Sequence, residues 1–295
     1  MFPPFGPRGQ IKPPGIPVIN WHHPMSAGLI FYGFDSGDGS IHDLAGGRAP
    51  AGYVSGSTIP PIGTTYLGNA ISWQGSASYS FPPDAIIKSV TASGVFTFAC
   101  GYIKNGTVVS FSRPFGRTAN NNGNPSLNWD FEANWNGNGQ ATVRCQVDSS
   151  GAGTGIDNSW TNAPANNVFV SILGTVGGGN GAWYAQGALG GTGSGLTVQS
   201  ADTNSNILFS GASSASVTNP FIGFVFYGAF WSRQLSSFEA MWLHYHPYSH
   251  LVFPGNRAEF SFPLRSLILP AAISAVARGL RRNATISRRR LLCGR

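Results

Sequence analysis

The chain has 295 residues, enough to bury a large core, and sets 40 glycines, 20 prolines and 13% aromatics against only 10% charged residues. Low charge with abundant Phe and Trp excludes a disordered chain and suits many short strands broken by turns. The net charge of +7 is confined to one end, since residues 271–295 carry seven arginines and no acid, while residues 1–270 balance 11 Lys+Arg against 11 Asp+Glu. A neutral body excludes a basic nucleic-acid-binding domain and leaves only the tail as a charged device.

Residues 1–24 hold seven prolines and read as an extended, polyproline-like arm lying on its own domain or on a neighbour. The opening MFPPFGPRGQIKPPG lacks an apolar h-region, so no signal peptide is expected, and no apolar run approaches the ~20 residues of a spanning helix. Leu29 to Phe34 forms the first strand and Asp35–Gly39 the turn after it. Val95 to Ile103 alternates, with Phe96, Phe98, Cys100 and Tyr102 on one face and smaller residues opposite. Asn120–Pro125 is a loop; Trp129 and Phe131 then alternate with Asn128, Asp130 and Glu132, and Val143, Cys145 and Val147 with Thr142, Arg144 and Gln146. Cys100 and Cys145 read as buried apolar side chains; with Cys293 they make an odd count with no disulfide or metal spacing.

Gly177–Gly181 is a hairpin signal between two strands; neither it nor the glycine run 190–195 is followed by the Lys-Ser/Thr and helix of a phosphate loop, so both read as hairpin loops. Ile222 to Trp231 has the texture of a central strand buried on both faces. Ser236 and Glu239 form a capping box, Phe238, Met241, Trp242 and Tyr245 share one helical face, and Pro247 stops that helix. A weaker helix begins at Pro270. The expected fold is all-β: an antiparallel two-sheet jelly roll over residues 25–254, with one short C-terminal helix, an N-terminal arm (1–24) and a basic C-terminal arm (255–295).

Several stretches turn this class into a resemblance. Asn20–Pro24 with Gly28–Ile30, His42–Gly46, Asn69–Ser76, Phe230–Glu239 and Tyr245–Pro254 follow, in order, motifs of laminin G-like, concanavalin A-type jelly rolls, and the end frames look most like versions encoded by tailed bacteriophages. The resemblance implies a non-enzymatic virion component (decoration, head spike, neck or tail protein) with virion neighbours, homo-oligomerisation and contact with a host-surface glycan. A soluble lectin-like protein is the alternative.

The same fold houses glucanases with an E-x-D-x-E strand. Here Asn128–Glu132 matches the spacing, but Asn128 stands where the attacking carboxylate is needed, and a retaining glycosidase requires two carboxyl groups. No enzyme is expected. Trp135 and Trp160, on polar loops, are candidates to stack on sugar or to pack in the core. Related sandwiches often bind calcium on loops, which makes Asp35, Asp38 and Asp43 candidate ligands; ordinary Asp turn chemistry is the competing account. His22, His23, His244, His246 and His250 lack zinc spacing and read as structural. The tail arginines Arg278, Arg281, Arg282, Arg288, Arg289 and Arg290 allow phosphate binding, an interfacial helix or docking on an acidic neighbour. Assembly is preferred, because an arm at each end suits a subunit that wraps onto partners.

Overall fold

The computed structural model describes residues 10–50, 52–54, 60–75, 77–82, 84–106, 112–118, 129–135, 140–144, 158–160, 166–194, 206–210 and 221–253. In chain order these form β1 (Val18–Ile19), a 3-10 turn (Pro24–Ser26), β2 (Leu29–Asp35), β3 (Ile41–Asp43), β4 (Gly52–Val54), β5 (Ile62–Thr65), β6 (Gly68–Gln74), β7 (Ser78–Phe81) and α1 (Ala85–Ser93). There follow β8 (Phe96–Lys104), β9 (Phe115–Thr118), β10 (Trp129–Trp135), β11 (Gln140–Arg144), β12 (Asn158–Trp160) and β13 (Phe169–Gly177). The last are β14 (Asn180–Ala185), β15 (Ala188–Ser194), β16 (Asn206–Phe209), β17 (Ile222–Trp231), α2 (Ser237–Tyr245) and β18 (Leu251–Val252).

Two antiparallel sheets make a sandwich. The larger runs β15-β14-β13-β8-β17-β2-β3, and the smaller runs β12-β11-β10-β9-β16-β7-β4. Strand β17 is long enough to serve two neighbours on one edge: Tyr227–Trp231 pairs with β2, while Ile222–Phe224 pairs with β6, which carries β5. The alternation in β8 puts Phe96, Phe98, Cys100 and Tyr102 into the core between the sheets, as its period of two requires. There they meet Trp129, Phe131, Phe115 and Phe209 of the smaller sheet. Cys100 is a free, buried thiol, whose burial pushes its pKa up. Cys145, Cys293, the Asn120–Pro125 loop and the Pro270 helix lie outside the described residues.

The opposite face of the larger sheet is covered too. Ala99, Leu173, Tyr227 and Trp231 pack there against Ile19, Met25, Ala240, Leu243, Tyr248 and Phe253. The cover is a strap made from the two ends of the domain. β1 pairs with β18, and Trp231 Nε1 donates to the Met25 carbonyl at 2.8 Å. The described part of the proline-rich arm, from Gln10, therefore belongs to the domain. Lys12 is buried in it, and Val18–Ile19 forms a strand where only an extended arm was expected.

Three further features depart from the sequence reading. Helix α1 was not anticipated; Asp84 caps it by accepting from Ile87 N–H at 2.8 Å, and Gly94 closes it in the left-handed region at φ 67°. The run from Gly190 is mostly strand β15, and the hairpin turn is Gln186–Gly187, both at positive φ. A Cβ at Gly190 would strike the Trp183 ring, so glycine is required there by packing. Finally, α2 has the expected capping box, with Ser236 Oγ accepting from Glu239 N–H and Glu239 accepting from Ser236 N–H, but it buries Ala240 and Leu243. Of the four residues at helical spacing, Trp242 packs partly against the core, while Phe238, Met241 and Tyr245 are exposed.

Candidate functional site

Two of the candidate calcium ligands, Asp35 and Asp38, share the turn after β2, and Asp43 opens a separate one; all three accept hydrogen bonds there. Asp35 is buried at the end of β2; its carboxylate accepts from Ile71 N–H at 2.6 Å and Gly37 N–H at 2.7 Å, with Lys12 Nζ 3.7 Å away. Burial pushes the Asp35 carboxyl up and the Lys12 ammonium down, each opposed by the attraction of the other. Asp38 accepts from Ser36 Oγ and Ser40 N–H, an Asx-type turn. Asp43 accepts from the backbone N–H of Tyr32, Ala45, Gly46 and Arg48, and pairs with Arg48 Nη1 at 2.8 Å. Arg48 reaches on to the Ile30 carbonyl and to Asp84 at 2.5 Å, so one guanidinium ties the 43–48 turn to the cap of α1. Burial disfavours the charged form of Asp84, but the Ile87 N–H and Arg48 outweigh it and hold its carboxyl below the usual range. The structure does not gather the three acids, and no metal-holding group of three or more His, Cys, Asp or Glu occurs among the described residues.

The histidines are likewise dispersed. His244 Nδ1 lies 2.9 Å from Ser171 Oγ, tying α2 to β13, and burial lowers its pKa to about 4. His246 lies against Trp242 with the rings tilted, 4.5 Å between centres, His22 is exposed, and His250 is fully buried near His23.

Trp135 and Trp160 have their backbones on strands, where loops were expected. Trp135 ends β10 opposite Gln140, and Trp160 ends β12 opposite Ala141, so both flank β11. A one-residue register shift between Glu132 and Trp135 marks a bulge. Asp130 pairs with Arg144 and Glu132 with Thr142 in the backbone ladder; Asn128 lies outside the described residues. So do all six tail arginines, Arg278, Arg281, Arg282, Arg288, Arg289 and Arg290.

A group of exposed apolar side chains lies on α2 and the neighbouring β15. Phe238 is 53% exposed, Met241 41% and Tyr245 44%, with Leu189 of β15 exposed at 60%. Phe238 leans on Trp242 at 6.2 Å between ring centres. The helix beneath is held by its capping box, by Arg233 bound bidentately to Glu239 (2.6 and 3.1 Å), and by Trp242 Nε1 on Ser249 Oγ at 2.9 Å. Burial disfavours ionised Glu239, yet Arg233 and the Ser236 donors outweigh it and keep the carboxyl below its ordinary range. An aromatic and apolar surface on a fixed helix is suited to recognition. Their helical spacing is visible in the sequence, but nothing local marks their exposure.

The chain is an antiparallel jelly-roll sandwich. No protein-family model matches it, and no curated protein matches it in sequence. Among solved structures it is similar to domain 4 of AbnA, a GH43 extracellular arabinanase from Geobacillus stearothermophilus, in complex with arabinotriose (TM-score 0.56, 13% identity, 74% of this chain and 98% of that one). It is also similar to Trypanosoma rangeli sialidase in complex with a 2,3-difluoro-nononic acid (TM-score 0.56, 15% identity, 81% of this chain), and spans 37% of that longer chain. The binding domain of Paraclostridial Mosquitocidal Protein 1 matches with TM-score 0.53 and 16% identity, over 75% of this chain and 52% of that one. At these identities the likeness is one of fold.

Proposed function

We propose that this chain is a non-enzymatic recognition module that contacts a glycan through exposed aromatic side chains, and that it serves as a structural component of a tailed-phage particle. The observation that carries glycan contact is the α2 surface, where Phe238, Met241 and Tyr245 are exposed on a helix anchored at both ends. Aromatic rings offer apolar faces to the C–H faces of sugars at low conformational cost. The arabinotriose held by AbnA domain 4 agrees with this reading.

A non-catalytic role is favoured by how the described carboxylates are used. Asp35, Asp38, Asp43, Asp84 and Glu239 each accept hydrogen bonds that shape a turn or cap a helix. The strand carrying Asp130 and Glu132 has Asn128 where an E-x-D-x-E enzyme has its nucleophile. The virion setting rests on the resemblance of the sequence's end frames to phage-encoded laminin G-like domains. A glycan array tests the reading: binding by the wild type that is lost in Phe238→Ser/Tyr245→Ser supports it, and a blank array removes it. Release of reducing sugar abolished by Glu132→Gln would instead establish a hydrolase.

A further inference from the structure

The strap over the larger sheet is closed by two histidines from opposite ends of the domain. His23 is the cap of the 3-10 turn, and its Nδ1 accepts from Met25 N–H at 3.1 Å, which requires an unprotonated nitrogen. His250 stands before β18, is 0% exposed, and has no hydrogen-bond partner among the described residues on either ring nitrogen. Its ring lies 6.3 Å from that of His23 and meets Tyr32 of β2 edge-on at 4.8 Å. Behind Tyr32 stand Tyr227 of β17, stacked at 5.7 Å, and Tyr248 of the same turn as His250. The Tyr32 hydroxyl donates to the Pro247 carbonyl, its N–H to Asp43, and among the described residues no carboxylate pairs with His250. The backbone around the pair is what holds the ends together: Asn20 N–H donates to the His250 carbonyl at 2.9 Å, next to the β1–β18 pairing.

We propose that the His23–His250 pair is an acid-sensitive latch, closed while both rings are neutral and opened by protonation, which releases the strap from the larger sheet while the sandwich stays folded. A proton on His250 would create a cation with no acceptor beside a second histidine, and a proton on His23 Nδ1 would remove the cap of the turn. Burial agrees: it lowers the pKa of His23 and takes that of His250 down to about 3. The sign follows. The open strap binds more protons than the closed one below the ordinary histidine value near 6.5, so closure is stable above that pH and weakens as pH falls toward 3. The opening constant rises about tenfold per pH unit for each histidine neutral when closed and charged when open.

The test is amide hydrogen exchange, corrected for intrinsic rates, on the full chain from about pH 7.5 to about pH 4.5, the span over which an unperturbed histidine titrates. Amides of residues 19–26 and 248–252 are expected to open more readily as pH falls, while those of β8, β13 and β17 stay protected. The pair His23→Asn, which keeps a capping acceptor, and His250→Phe, which keeps a ring against Tyr32, is expected to flatten the dependence. A flat wild-type profile, an unaltered slope in the double variant, or parallel opening of the sheet amides would overturn the latch. If the double variant does not fold, the wild-type imidazole signals decide. A neutral His250 signal that fades in step with strap opening supports the latch, and one that titrates near 6.5 with the strap closed contradicts it.

Discussion

Phe115 and Gly228 face each other across the sandwich, and the ring occupies the space a side chain at Gly228 would need. The arrangement is doubled. Phe115 and Phe209 are cross-strand partners in the smaller sheet, and Gly228 and Gly33 are cross-strand partners in the larger. A Cβ at Gly33 would come 2.5 Å from the Phe209 ring. Two large residues against two absent ones set how closely the sheets approach, and glycine in a strand interior is the mark of such an approach.

Gly228→Ala and Gly33→Ala should therefore each destabilise the domain by about 1–3 kcal/mol through overpacking, more if the sheets must separate. Gly178→Asn, at φ 61° in an open hairpin turn, is the control and should stay within about 0.5 kcal/mol, because asparagine tolerates that conformation. Urea unfolding midpoints of the three variants check this.

Arg48 binds Asp43, Asp84 and the Ile30 carbonyl at once. Arg48→Met should cost about 3–5 kcal/mol, since it leaves the buried Asp43 carboxylate without its cation. Arg48→Lys should recover only part of this, because an ammonium cannot span both acids. Chemical denaturation of both variants measures the difference.

Ser236→Ala should weaken the domain by about 0.5–2 kcal/mol by uncapping α2. Glu239 gives this region a pH dependence of defined sign. Its folded pKa lies below the ordinary 4.5, so its contribution is present above pH 4.5 and lost as pH falls through the folded value. Thermal melts of the wild type and Glu239→Gln should thus converge toward low pH; a gap that widens on acidification contradicts the assignment.

Deleting residues 255–295 should leave the sandwich folded and abolish incorporation into particles, if the basic tail is the assembly device. Normal occupancy of particles by the truncated chain would rule out that role.

The parts of the fold legible in the sequence are those written in a single local period. The alternation of Phe96, Phe98, Cys100 and Tyr102 announced an inward face, and Ser236 with Glu239 announced a helix start. The orientation of α2 was not legible, because its sequence has apolar residues on both sides: Ala240 and Leu243 are buried, while the larger Phe238, Met241 and Tyr245 are exposed. Helix α1, as long as α2, was missed because Ile87 stands at its N3 position, so no capping box announces its start. The acids picked out as calcium candidates were conspicuous for a sound reason, their place in turns. What they bind, though, is backbone N–H, Lys12 and Arg48, drawn from segments distant in sequence. No local pattern records such partners.

Glycan recognition at α2 is the central claim, and it is tested most directly by titrating a glycan hit into labelled protein and following the side-chain resonances of the aromatic residues. The account predicts that Phe238 and Tyr245 shift on binding, and that Phe238→Ser lowers affinity at least tenfold, about 1.4 kcal/mol. Trp135→Ala and Trp160→Ala should leave that affinity unchanged. Shifts confined to the β10–β12 edge, with affinity lost in the tryptophan variants and kept in Phe238→Ser, would contradict it.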